Sequence, residues 1–156
     1  MRHWIDVTQK VWPLAFILIF IACERTPFNP DYEHSLDGLG IKVWANQANI
    51  EYGDPIEITL EIVNLTDKKK YFELADSGTY DCVIRNIEDE CVWRHSNVYG
   101  VLPMGWTLVL NAHQRKTYTA VCEDTLEVGQ YSAEGWCIFQ PTLRDTTGFV
   151  VLDGSH

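Results

Sequence analysis

Hydrophobic and polar residues alternate along much of this chain after residue 40. The clearest example is the segment 55–64, in which isoleucine or leucine occupies every second position from Ile56 to Ile62. Glutamate and threonine occupy the positions between them. This period of two is typical of a β-strand that buries one face and exposes the other. Pro55 before the segment and Asn64 at its end predict where the strand starts and stops.

Eight further segments are short, rich in β-branched and aromatic residues, and separated by Gly, Asp or Asn clusters. They are residues 41–46, 70–74, 80–85, 91–95, 107–111, 116–121, 130–139 and 148–152. No segment after residue 40 has a convincing helical stripe. Short strands at this spacing predict an all-β fold, an antiparallel β-sandwich of roughly 7–9 strands.

The first 22 residues have the pattern of a secretory signal. An uncharged apolar run at 11–22 follows two basic residues, and it ends in the sequence Phe20-Ile21-Ala22-Cys23. This ending resembles the lipobox of bacterial lipoproteins, which implies removal of residues 1–22 and lipidation of Cys23. The run is too short to span a bilayer comfortably, because roughly 20 residues are needed. A plain signal peptide and a spanning anchor are the alternatives.

Composition and charge divide the rest of the chain and limit its partners. Residues 23–39 contain Pro, Asn, Asp, Ser and Gly without a clear period, which predicts a flexible tether before a domain at 40–156.

The net charge of −10 becomes more negative when residues 1–22 are removed, because they hold two basic residues and one acidic residue. So acidic a chain repels phosphate backbones and anionic headgroups. Nucleic acid is therefore not a predicted partner, and membrane attachment depends on lipid at Cys23.

Five segments carry a resemblance to a known family. They are YGDPIEITL at 52–60, YDCVIRN at 80–86, CVWR at 91–94, NAHQRKTYT at 111–119 and GQYSAEG at 129–135. Together they resemble the BsuPI domain, named for an intracellular proteinase inhibitor, over residues 40–152. The resemblance implies an immunoglobulin-like sandwich, in agreement with the strand pattern. It also implies proteinase inhibition as one activity.

Four cysteines follow Cys23, namely Cys82, Cys91, Cys122 and Cys137. In an exported protein an even set predicts two disulfides, with three pairings open and free buried thiols as the alternative. Suppose that 80–85 and 91–95 form a hairpin and that 130–139 lies antiparallel beside the first strand. Cys82 and Cys137 then meet at one end of the sandwich, and the predicted bonds are Cys82–Cys137 and Cys91–Cys122.

The sequence carries no signature of catalysis. It contains no Gly-x-Ser-x-Gly, no phosphate-binding loop and no His-Glu-x-x-His. We therefore predict no catalytic residues, no cofactor and no metal site. The acidic groups at 88–90 and 123–124 offer a calcium hypothesis, with solvated turns as the alternative.

The candidate contact surface is the stretch 96–105, which is rich in apolar and aromatic residues. Its predicted partner-binding residues are Tyr99, Met104 and the adjoining Trp106. The alternative is a loop folded over the end of the core. We predict a non-catalytic, lipid-anchored module of the bacterial cell envelope that acts outside the cytoplasm through protein–protein contacts. A proteinase inhibitor of the BsuPI type, whose partner is a protease, and a structural envelope lipoprotein are the other two hypotheses.

Overall fold

The structure, a computed structural model, describes residues 32–100 and 102–154. Within these residues the chain forms eleven strands and one short helix. They are β1 (His34–Leu36), β2 (Leu39–Ala45), β3 (Asn49–Glu51), β4 (Ile56–Asn64), β5 (Lys70–Leu74), β6 (Tyr80–Asn86), β7 (Cys91–Arg94), α1 (His95–Val98), β8 (Trp106–Leu110), β9 (Arg115–Cys122), β10 (Gly129–Cys137) and β11 (Gln140–Leu152). The predicted all-β antiparallel sandwich is confirmed, with more strands than predicted.

Two sheets pack face to face, and a two-stranded ribbon adjoins them. One sheet has the order β1-β2-β4-β9, the other has the order β3-β11-β10-β6-β7, and β5 pairs with β8 in the ribbon. Neighbouring strands are antiparallel except for β3 and β11, which run parallel. Because its neighbouring strands are mostly antiparallel, each end of the five-stranded sheet carries loops or turns that lead from one strand to the next.

The core lies between the two sheets and follows the alternation seen in the sequence. On β4 the side chains from Ile56 to Ile62 at every second position are buried against the facing sheet. On that sheet, Gly135 permits a close approach, because a Cβ there would lie 2.9 Å from Cγ2 of Val43 and 3.0 Å from Cδ1 of Leu60. Both distances are shorter than ordinary van der Waals contact, so the two sheets pack more closely here than a larger residue would allow.

The domain begins earlier than the sequence predicted. Tyr32 is buried, its hydroxyl donates a hydrogen bond to Glu61, and its ring covers Gly40. Strand β1 then pairs with β2 through a tight hairpin. Residues 32–39, predicted as part of the tether, are therefore part of the sandwich. Residues 23–31 of the predicted tether, the signal at 1–22 and Cys23 lie outside the described residues.

Besides β1, two further strand segments were not predicted. Strand β3 has a single buried side chain, Ile50, which is too little for a visible alternation. Strand β11 starts at Gln140 although most of its first half is polar, because Gln140 and residues 144–151 pair with β10 on either side of an irregularity at 141–143. Within this half, the carboxylate of Asp145 accepts a hydrogen bond of 2.7 Å from the backbone N–H of Val43. Pairing, this hydrogen bond and the single buried side chain of Leu143 thus maintain a strand that the hydrophobic pattern does not reveal.

The predicted disulfides are wrong, since Cys82, Cys91, Cys122 and Cys137 are all free thiols. The strand arrangement behind the prediction is correct, because β10 lies antiparallel beside β6. However, Cys82 is opposite Gly135, so Cys137 is displaced by two positions along β10. Such diagonal neighbours have Cα atoms about 7–8 Å apart, whereas disulfides usually need about 4.4–6.8 Å. The two cysteines of the second predicted pair lie in different environments, because Cys91 is exposed on an edge strand and Cys122 is buried in the core.

Candidate functional site

The 96–105 loop starts at a buried carboxylate. Asp81 lies on β6 beside the end of β7 and is only 3% exposed. Its Oδ2 accepts hydrogen bonds from Nε and Nη2 of Arg94 at 2.8 and 2.7 Å. Its Oδ1 accepts from the backbone N–H of Ser96 at 3.0 Å. The paired guanidinium compensates for burying the charge, and the bond to Ser96 fixes the first turn of the loop.

Aromatic rings support the next part of the loop. The ring of His95 contacts Tyr80 at 4.8 Å and Tyr99 at 4.7 Å between centroids, and Tyr80 stacks on Tyr118 at 5.0 Å. Burial raises the pKa of Tyr80 and of Tyr118 to about 12. Burial also lowers the pKa of His95, with the charge of Asp81 acting in the opposite direction. The stack is therefore uncharged at neutral pH, which suits ring packing in a partly buried position.

The far part of the loop is held by the turn between β5 and β6. The backbone N–H of Leu102 donates to Oγ of Ser77, and the backbone N–H of Ser77 donates to the carbonyl of Leu102, both at 2.9 Å. The indole N–H of Trp106 donates to the carbonyl of Asp76 at 2.9 Å. Together with Asp81, these contacts fix both ends and the middle of the loop.

The fixed loop presents an apolar surface to solvent. We call it the loop patch, and it consists of Val98, Tyr99, Leu102 and Met104, all of which are exposed. Leu102 is 65% and Met104 is 56% exposed, although the backbone N–H groups of both residues are held by hydrogen bonds. Exposed apolar groups on a fixed backbone are a feature of protein-contact surfaces, because little conformational entropy is lost when they bind.

A small cleft of about 160 Å³ separates the loop from the turn that supports it. Its walls include Thr79, Tyr80, His95, Tyr99 and Ile138. Nδ1 of His95 is buried and has no hydrogen-bond partner among the described residues. The cleft has room for little more than a single side chain of a partner, which makes it an extension of the contact surface.

The structure places the predicted contact residues in two different roles. Tyr99 and Met104 belong to the loop patch, whereas Trp106 is half-buried on β8 and positions the loop through its indole N–H. The sequence reasoning did not single out Ser77 or Asp81. A carboxylate directly before the apolar run Cys82-Val83-Ile84 was a usable signal for Asp81, but nothing local indicates the partner of Ser77.

Among residues 32–100 and 102–154, no group of three or more His, Cys, Asp or Glu side chains is arranged to hold a metal ion. The acidic groups at 88–90 and 123–124 are exposed turn residues. In the same part of the chain, no helix has the length and apolar character needed to cross a membrane.

A comparison with protein families identifies the family of this chain. The family described as intracellular proteinase inhibitor, BsuPI, matches residues 44–142, a span that contains most of the sandwich and the entire loop. The chain belongs to the BsuPI family, as its sequence resemblance predicted. The family is one of inhibitors and not of enzymes. No protein with a curated description matches the chain.

Several solved structures resemble parts of this chain at low sequence identity. A β-glucosidase from Erythrobacter marinus is 13% identical with a TM-score of 0.45, and the match covers 73% of this chain and 15% of the enzyme. A cycloisomaltooligosaccharide glucanotransferase from Paenibacillus is 15% identical with a TM-score of 0.49, covering 73% and 14% of the two chains. The CARDB domain of a Pyrococcus furiosus protein is 12% identical with a TM-score of 0.45, covering 83% and 97%. This chain thus spans about one seventh of the length of either enzyme.

Proposed function

We propose that this domain is a protein-binding module, that the loop patch is its contact surface, and that its partner is a proteinase. The observation that carries the proposal is a loop with apolar side chains in solvent, its backbone held by Asp81 and Ser77, next to a Trp106 indole that donates to the carbonyl of Asp76. The family assignment supports a proteinase as the partner. Because the loop patch is apolar, the affinity of the complex depends on burial of its side chains more than on charge.

Titration of the purified chain against a panel of serine, cysteine and metallo-endoproteinases tests this proposal. We expect inhibition of at least one proteinase at micromolar concentration or below. If no member of the panel is inhibited or bound at that concentration, the proposal of a proteinase partner is wrong.

A matched pair of tyrosine variants tests the location of the contact surface. Tyr99→Ala removes an aromatic side chain of the loop patch, and Tyr52→Ala removes one of similar exposure from the opposite end of the five-stranded sheet. Only Tyr99→Ala should weaken inhibition. Equal effects, or none for Tyr99→Ala, would place the contact surface elsewhere.

We further propose that the domain acts outside the cytoplasm, attached to a membrane by lipid on Cys23. The sequence Phe20-Ile21-Ala22-Cys23 and the apolar run before it support this location. Several acyl chains at one cysteine provide stable anchoring, whereas a single chain binds only marginally. A domain placed there would meet a proteinase of the envelope or the medium.

Metabolic labelling with a radioactive fatty acid tests the anchor. The chain should incorporate label and sediment with membranes, and Cys23→Ser should lose both properties. Cys91→Ser is the matched control, because Cys91 is exposed but lies within the sandwich. Label that persists in Cys23→Ser would contradict the proposal.

A further inference from the structure

The backbone of the loop patch offers no free N–H group at three consecutive positions. The N–H of Leu102 donates to Oγ of Ser77, Pro103 has no N–H, and the N–H of Met104 donates to the carbonyl of Leu102 at 2.9 Å. The carbonyl of Leu102 also accepts the N–H of Ser77. Residues 102–104 therefore have no N–H group available to a partner, and the carbonyl of Leu102 is also occupied.

This arrangement conflicts with the way in which a substrate binds a proteinase. An extended peptide that binds along a cleft or sheet edge gains affinity from main-chain hydrogen bonds to the protein that receives it. Leu102 and Met104 could donate their N–H groups to such bonds only after the present contacts, with Ser77 and within the loop, were broken. Breaking them would leave the N–H and carbonyl of Leu102 without their present partners during docking.

We infer, building on the proposed function, that the loop binds its proteinase through the side chains of Leu102 and Met104 and is not bound as a substrate strand. The partner then offers an apolar pocket for these two side chains, and the loop is not cleaved. Ser77 is a positioning residue, because its hydroxyl and its N–H are hydrogen-bonded to the backbone of Leu102 and so hold it against the domain.

Limited proteolysis of the full chain tests this inference, and it works whether or not a partner is known. The proteinase is thermolysin or chymotrypsin, whichever keeps full activity on a small peptide in the presence of the chain. We expect the wild-type loop to remain uncut while Ser77→Ala is cut between residues 98 and 105 about tenfold faster, because one supporting hydrogen bond is lost. Mass spectrometry locates the cuts.

Two variants control for general loss of stability. Ser77→Thr retains the hydroxyl and should restore resistance, and Ser132→Ala removes a serine from β10 away from the loop and should leave it unchanged. Equal cutting of wild type and Ser77→Ala within the loop would overturn the inference.

A second readout separates this inference from the proposed function. In a complex with any proteinase that the chain inhibits, the loop should stay intact, and a stoichiometric cut at 102–104 would show substrate-like binding and overturn the inference. Failure to inhibit any proteinase would instead contradict the proposed partner, and the proteolysis of Ser77→Ala would still decide whether Ser77 protects the loop.

Discussion

His95 is the titratable side chain most closely connected with the shape of the loop. It packs against Tyr80 and Tyr99, and burial lowers its pKa below the ordinary 6.5 despite the nearby charge of Asp81. The unfolded chain therefore binds a proton more readily than the folded chain. The stabilisation from neutral His95 is complete above pH 6.5 and is lost as the pH falls below that value.

Urea unfolding at about pH 7.5 and about pH 5.5 checks this linkage. The free energy of unfolding should fall on acidification, and His95→Phe, which keeps a ring in the stack, should show a smaller fall. Carboxylate titration contributes equally to both proteins, so the difference between them isolates His95. An identical fall in the two proteins would contradict the assignment.

The four thiols of the sandwich differ in accessibility. Burial raises the pKa of Cys82 and of Cys137 to about 12 and that of Cys122 to about 11. Cys91 is exposed on the edge strand β7. Because the thiolate is the reactive form, iodoacetamide should modify Cys91 in the native protein and the other three only after unfolding.

Mass mapping of the alkylated peptides measures this order. Cys91→Ser should abolish the rapid native modification within the sandwich. A native protein in which Cys82 or Cys137 reacts as fast as Cys91 would show that the core is more open than the structure indicates.

At the scale of elements, Asn64 connects the end of β4 with two neighbouring turns. It is fully buried, and its Nδ2 lies 2.7, 3.1 and 2.9 Å from the carbonyl oxygens of Lys68, Leu110 and Asn111. Its Oδ1 accepts the backbone N–H of Thr66. One amide therefore satisfies the ends of the segments that lead into the ribbon and out of it.

Asn64→Ala leaves the buried carbonyl of Leu110 and the part-buried carbonyls of Lys68 and Asn111 without this partner, so it should lower the free energy of unfolding by about 3 kcal/mol. Urea unfolding measures the loss. Asn97→Ala, at an exposed position of α1, should change stability by less than about 0.5 kcal/mol. A similar small change for Asn64→Ala would mean that water replaces the amide without cost.

The sequence predicts elements well where the hydrophobic pattern is strong. Strand β5 has its predicted bounds, and β4 begins and ends where Pro55 and Asn64 indicate. The first half of β11 escaped prediction because it has only one buried apolar side chain, Leu143, and is otherwise held by backbone pairing.

The candidate site was predicted only in part, for a physical reason. Apolar composition indicated the 96–105 loop, and two of its three predicted contact residues are exposed there. The contacts that fix it join Ser77 to Leu102 and Asp81 to Ser96, residues far apart in sequence. Which hydroxyl or carboxylate meets which N–H depends on strand register and loop path, and neither is encoded locally.

On the scale of the whole molecule, the five-stranded sheet separates two different ends. The loop patch lies at one end, where β6 begins and β10 finishes. The opposite end carries the turn between β6 and β7, with Ile87 exposed among acidic residues. Each end has an exposed apolar residue, Leu102 or Ile87, so a substitution in the loop patch can be compared with a control substitution at the opposite end.

The most direct test of the account measures the dissociation constant of the complex with an inhibited proteinase for Leu102→Asp and Ile87→Asp. The two positions are 65% and 72% exposed, so both charges are solvated and neither should unfold the domain. We expect Leu102→Asp to weaken binding at least about tenfold and Ile87→Asp less than about twofold. Tight binding by Leu102→Asp, or equal weakening by both variants, would contradict the claim that the loop patch is the contact surface.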